Sequence, residues 1–174
     1  VTGDLRDRRA LDAACGGATH VISTANAFVG TGEESVQAVD ERGNRQLIDA
    51  ARAAGVRQFV FTSALVPDTY RAIDYFAAKF ATEEYLRASG LTWTILRPTA
   101  FMETWAQIIG ETPIRTGSTK IFGSGLNPLN FVAVDDVATI AVMTVDRPDA
   151  CHAFVDIGGP EHLTLLDVAA SFER

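Results

Sequence analysis

Cysteine is nearly absent from this 174-residue chain: Cys15 and Cys151 stand alone, in neither a redox nor a metal-ligand spacing. They read as small hydrophobes, which excludes a disulfide-stapled or zinc-built scaffold. His20, His152 and His162 form no ligand cluster, so no metal centre is expected. No apolar run approaches the ~20 residues of a membrane span and no signal peptide precedes the first strand, so the default location is cytoplasmic. Positive charge is also in short supply, with 15 Lys and Arg against 22 Asp and Glu and a net charge of −7. The basic residues are scattered, which argues against a nucleic-acid surface. The glycines nowhere form G-x-G-x-x-G. Gly30-Thr31-Gly32 lacks the third glycine and a strand of its own, and no periodic helix follows Gly123 and Gly125, which read as hairpin residues.

What is present is a folding chain. A hydrophobic fraction of 47% and a charged fraction of 21% support one buried core, hence a single domain over residues 1–174. Short β-branched and aromatic runs alternate with helical patterns, which predicts an α/β fold, a doubly wound parallel sheet with helices on both faces. Asp7 caps a helix over Arg8–Ala14 that Gly16-Gly17 stops, and Thr19–Thr24 is a buried strand ending in hydroxyls. Val36–Ala54 is the longest helical pattern. Its stripe of Val36, Val39, Gly43, Leu47, Ile48 and Ala51 reads as core, with Gly43 approaching the sheet and Gly55 ending the helix.

The chain is organised around Phe59–Lys79. Phe59-Val60-Phe61-Thr62-Ser63 reads as a buried parallel strand, whose C-terminal edge is where such sheets keep a ligand. Beyond a polar loop, Tyr75 and Lys79 lie four apart on one helix face, where the ammonium favours the phenolate and makes a usable acid/base. Ser63 is placed to hydrogen-bond a substrate oxygen while the tyrosine exchanges its proton. The plainer reading is a surface helix with a half-buried ring and a lysine paired to Glu83.

Ser63, Tyr75 and Lys79 in strand-loop-helix order resemble the active centre of the short-chain dehydrogenase/reductase superfamily. Glu83 to Thr99, with its Ser89-Gly90-Leu91-Thr92-Trp93-Thr94-Ile95-Leu96-Arg97-Pro98 run, and the later Phe131–Ala138 segment resemble its atypical, NmrA-like branch. The resemblance implies a Rossmann-like NAD(P)-binding fold, NAD and NADP being undistinguished, with Tyr75 moving a proton, Lys79 holding the nicotinamide ribose and Ser63 orienting the substrate. It implies cofactor contacts at Gly3, Asp4, Leu5, Thr24, Ala25, Asn26, Thr62, Pro98, Thr99 and Ala100, and a substrate wall at Phe101, Met102 and Trp105 within a variable segment at about 100–130. One departure stands out: many relatives place an asparagine where this chain has Asp40, and Asn44 falls one turn too late to replace it. Gly3-Asp4-Leu5 follows, in that family, a strand and a glycine loop not found here. The expectation is therefore a chain truncated at its N-terminus and, near Arg174, at its C-terminus, and one that binds dinucleotide poorly by itself.

Three functions follow as expectations: an NAD(P)-dependent oxidoreductase acting on a small carbonyl or hydroxyl substrate, an NAD(P)-sensing regulatory protein without turnover, or an epimerase-like enzyme. Downstream, Leu91–Arg97 is a strand, Pro98–Phe101 a loop, and Lys120–Gly125 a short strand entering a turn. Asp135-Asp136 are expected to cap a helix over Val137–Val145. Ala153–Ile157 is the last strand, and Thr164 caps the final helix.

Overall fold

The structure, a computed structural model, describes residues 2–28, 30–111, 118–119 and 121–172, in two compact units. Unit 1 comprises the described residues of 1–97 and 141–155, and unit 2 those of 98–140 and 156–174. Val1, Lys120 and Arg174, on which parts of the expectations fall, lie outside the described residues.

Unit 1 is built on a four-stranded sheet in the order β1-β2-β3-β6, with β1 His20–Ser23, β2 Gln58–Thr62, β3 Thr92–Pro98 and β6 Ala153–Ile157. β1, β2 and β3 run parallel, in the register Ser23↔Phe61 and Phe61↔Ile95. All five residues of β2 are buried, as a central parallel strand covered on both faces demands. Phe59, Phe61 and Ile95 enter the main core with Leu11 and Cys15 of α1 (Arg8–Cys15), Ile48 and Ala51 of α2 (Asn44–Ala53) and Leu86 of α3 (Asp74–Ala88). Asp7 caps α1 by accepting from the Arg9 and Ala10 N–H groups, as its sequence predicts. Gly55 and Gly90, with φ of +71° and +83°, stop α2 and α3 in a conformation that L side chains resist.

Three expectations for this unit are corrected. The long helical pattern is not α-helical throughout: Gln37–Gly43 is a π-helical turn that passes into α2. Gly43 approaches not the sheet but Leu5, whose Cβ would lie 3.0 Å from an added Cβ. Glu83 does not pair with Lys79. It is buried and takes the Arg97 guanidinium through both oxygens, at 3.0 and 2.5 Å, because β3 delivers the stronger two-pronged partner.

Unit 2 contains a second, smaller sheet. β4 (Ala100–Phe101) pairs parallel with β5 (Leu129–Val132), which pairs antiparallel with β7 (His162–Leu163). The expected Pro98–Phe101 loop thus ends in a strand, and it leads into α4 (Met102–Ala106) and a further π-helical turn, Gln107–Glu111. Ile109, Phe131 and Leu165 form the core. Asn130 clasps the unit: its Oδ1 accepts from Thr99 Oγ1 and Gly159 N–H, and its Nδ2 donates to the Gly159 and Glu161 carbonyls.

Helix α5 (Val134–Met143) starts three residues earlier than expected. Asp135 and Asp136 lie inside its first turn, and the Val134 N–H is held by the Glu103 carboxylate at 3.0 and 3.1 Å. Residues 121–125 form a turn without the expected strand. Thr164 caps α6 (Leu165–Ala170) in a reciprocal box with Asp167. Among the described residues, no helix is long and apolar enough to cross a membrane.

The core assignment can be checked by truncation. Phe59→Ala should cost about 3–5 kcal/mol in urea unfolding, whereas Ile22→Ala, on the 41% exposed Ile22 of the edge strand β1, should stay within about 1 kcal/mol. Equal losses would reject this placement of the core.

Candidate active site

The expected acid/base pair sits on the first turns of α3, and the structure adds a third member. Lys79 Nζ is buried between three oxygens from three elements: Asp40 Oδ1 at 3.0 Å, and the carbonyls of Ala25 and Thr62 at 3.4 Å each. The Asp40 contact is an ion pair without hydrogen-bond alignment, and Asp40 Oδ2 accepts the Ala27 N–H at 2.8 Å. The Asp40–Lys79 pair therefore ties the loop after β1, the end of β2 and α3 together.

The π-helical turn explains how the carboxylate reaches this point. The extra residue per turn loosens the carbonyl ladder, and side chains collect the freed acceptors. Asn44 Nδ2 donates to the Val39 and Asp40 carbonyls, and Thr82 Oγ1 donates to the Asp40 carbonyl. Asn44 is itself held by Ser23 Oγ at 2.6 Å. The stripe expected to be plain core thus carries two buried polar residues, Asp40 and Asn44, of 0% exposure each. The signal was in the sequence: Val36, Asp40, Asn44 and Ile48 recur every four residues, so one helical face had to bury both.

Tyr75 packs edge-on against Phe28 and Phe76, with ring centroids 5.0 and 5.2 Å apart, and Lys79 Nζ lies 5.6 Å from its ring centroid. Its phenol is pushed up to about 12, first by burial and then by the Asp40 charge. This corrects the expectation that Lys79 lowers it, since the ammonium is held by Asp40. Burial in turn pulls the Lys79 ammonium below its ordinary value, against the Asp40 attraction that supports it.

Ser63 is buried next to Thr62 at the end of β2. Its N–H donates to the Leu96 carbonyl, while its Oγ has no hydrogen-bond partner. An orphaned buried hydroxyl costs about 1–3 kcal/mol.

The remaining predicted site residues divide between the two units. Ala25 and Thr62 join the Lys79 cluster through their carbonyls, and Thr24 and Asn26 lie exposed in the same loop. Gly3, Asp4 and Leu5 gather elsewhere: Gly3 abuts Ala10, Leu5 packs on the main core, and the Asp4 carboxylate is held by Arg6. Asp4 and Arg6 line a surface depression of about 440 Å³ with Glu33 and Arg42, none of it formed by Ser63, Tyr75 or Lys79. Pro98, Thr99, Ala100, Phe101, Met102 and Trp105 belong to unit 2. There Trp105 packs on that core and Met102 is exposed.

A parallel sheet with helices between its strands is a Rossmann-like α/β fold. Residues 1–148 match the profile of the NAD(P)H-binding family, and the chain belongs to that family. It is 30% identical to the NAD(P)H azoreductase of Xenophilus azovorans, over 97% of this chain and 55% of that protein. It is 34% identical to the photosystem II assembly factor Ycf39 of Cyanophora paradoxa, over 100% of this chain and 54% of that protein. Its fold matches MoeE5 in complex with UDP-glucose and NAD with a TM-score of 0.81, at 19% identity, over 99% of this chain and 67% of MoeE5. The chain spans about half the length of these two curated relatives.

The raised Tyr75 value links to stability. The unfolded chain releases this proton near pH 10 and the folded chain near 12, so the contribution is full below pH 10 and lost as pH rises toward 12. Between pH 9 and 11, Tyr75→Phe should lose about 1 kcal/mol less stability than the native chain in urea unfolding. Parallel losses would show that Tyr75 titrates normally.

Proposed function

We propose that this chain carries the reactive residues of an NAD(P)-dependent oxidoreductase of the NmrA-like, atypical short-chain dehydrogenase/reductase type, reducing a small carbonyl compound. The reading is carried by the unpartnered Ser63 hydroxyl, buried one residue beyond the carbonyl that receives Lys79. A hydroxyl kept in that state is free to donate to a substrate oxygen. The buried donors and the small residue Ala25 in the adjoining loop suit a nicotinamide dinucleotide, which supplies the hydride when bound. Tyr75 delivers the proton to the carbonyl oxygen, and Lys79 turns its remaining donor capacity toward the ribose hydroxyls. Thr24, Ala25, Asn26 and Thr62 border the cofactor.

A second reading is a protein that binds NAD(P) and a protein partner without turnover. It is favoured by the 34% identity to an assembly factor.

The deciding experiment is NADH- and NADPH-dependent carbonyl reduction by the purified protein. Tyr75→Phe should lower kcat by about 10²–10⁴-fold while cofactor affinity stays unchanged. Binding without turnover in both proteins would favour the second reading, and absence of nucleotide binding would reject both.

A further inference from the structure

The charged groups that face Tyr75 come from two elements among the described residues. Lys79 approaches from its own helix, and Asp40 from the π-helical turn. The loop after β1 brings the Phe28 ring, and the aromatic neighbour on α3 is Phe76. A lysine alone at this position favours the phenolate, because an adjacent positive charge stabilises the ionised form. Here the same ammonium lies 3.0 Å from a carboxylate of 0% exposure, so the phenol meets a pair without net charge. Burial then decides against ionisation.

The carboxylate is also fixed at that spot. Its Oδ2 holds the Ala27 N–H, and its own carbonyl is held by Asn44 and Thr82. The carboxylate cannot swing away from the lysine without breaking its bond to the Ala27 N–H. We infer that Asp40 is a positioning residue that neutralises Lys79 and keeps the Tyr75 phenol in its proton-bearing form, so that the site donates a proton in reduction and serves poorly as a base in oxidation. The direction of reaction rests on the oxidoreductase reading above, whereas the charge coupling is a property of this chain alone. In the reductive step the phenol O–H breaks, its proton bonds to the carbonyl oxygen, and the hydride reaching the carbonyl carbon comes from a reduced nicotinamide dinucleotide. The phenolate left behind is reprotonated from water.

The test reads Tyr75 ionisation directly and needs no cofactor. Phenolate absorbance is followed after a rapid pH jump, before the chain unfolds, and Tyr75→Phe provides the baseline for Tyr70 and Tyr85. The native Tyr75 should titrate near pH 12. Asp40→Asn, of nearly the same shape but uncharged, should lower that midpoint, and Asp40→Glu should keep it high. An unchanged or raised midpoint in Asp40→Asn overturns the inference. So does a native midpoint at or below the ordinary tyrosine value of about 10, a result that does not require the variant to fold. Failure of nucleotide binding or turnover would reject the oxidoreductase reading and leave this titration standing.

Discussion

A single buried ion pair, Asp40 with Lys79, sets the terms for unit 1. Removing two charges from water costs several kcal/mol per ion, and mutual attraction alone does not return it. The remaining compensation comes from the Ala27 N–H on the carboxylate and two carbonyls on the ammonium. These groups come from the loop after β1 and the last residue of β2. The pair therefore constrains where strands end and where α3 begins. Losing one partner would strand the other, a defect of about 3–5 kcal/mol.

The same constraint separates what the sequence makes legible from what it hides. β2 was readable because five apolar or small polar residues bounded by turns have one economical use in a parallel sheet. Asp7 and Thr164 were readable because a cap acts within three residues of itself. Tyr75 and Lys79 sharing a face was readable from helical period alone. Partners across long sequence distances were not. Glu83 bonds Arg97 on the next strand rather than its helical neighbour, and the start of α5 is held by Glu103, 31 positions earlier. Such choices depend on which side chain the tertiary fold delivers, and local spacing is silent on that.

Unit 2 depends on a different economy. Asn130 spends both ends of its amide on Gly159, accepting from its N–H and donating to its carbonyl, while also meeting Thr99 and Glu161. A Cβ at Gly159 would lie 1.9 Å from the Phe131 carbonyl oxygen, so no other residue fits there without backbone movement. The segment expected at about 100–130 thus begins and ends on a fixed clasp, and Ile109 and Trp105 within it pack on the core beside Phe131 of β5.

The π-helical turn at Gln37–Gly43 has a genealogical consequence. An α-helix advances about 100° per residue, so dropping one position from this turn would restore the ordinary ladder and leave everything from Asn44 onward in place. Residues before the deletion would rotate by about that angle, and Asp40 would leave the lysine. A one-residue insertion or deletion, with no substitution anywhere, is enough to change the charge felt by Tyr75.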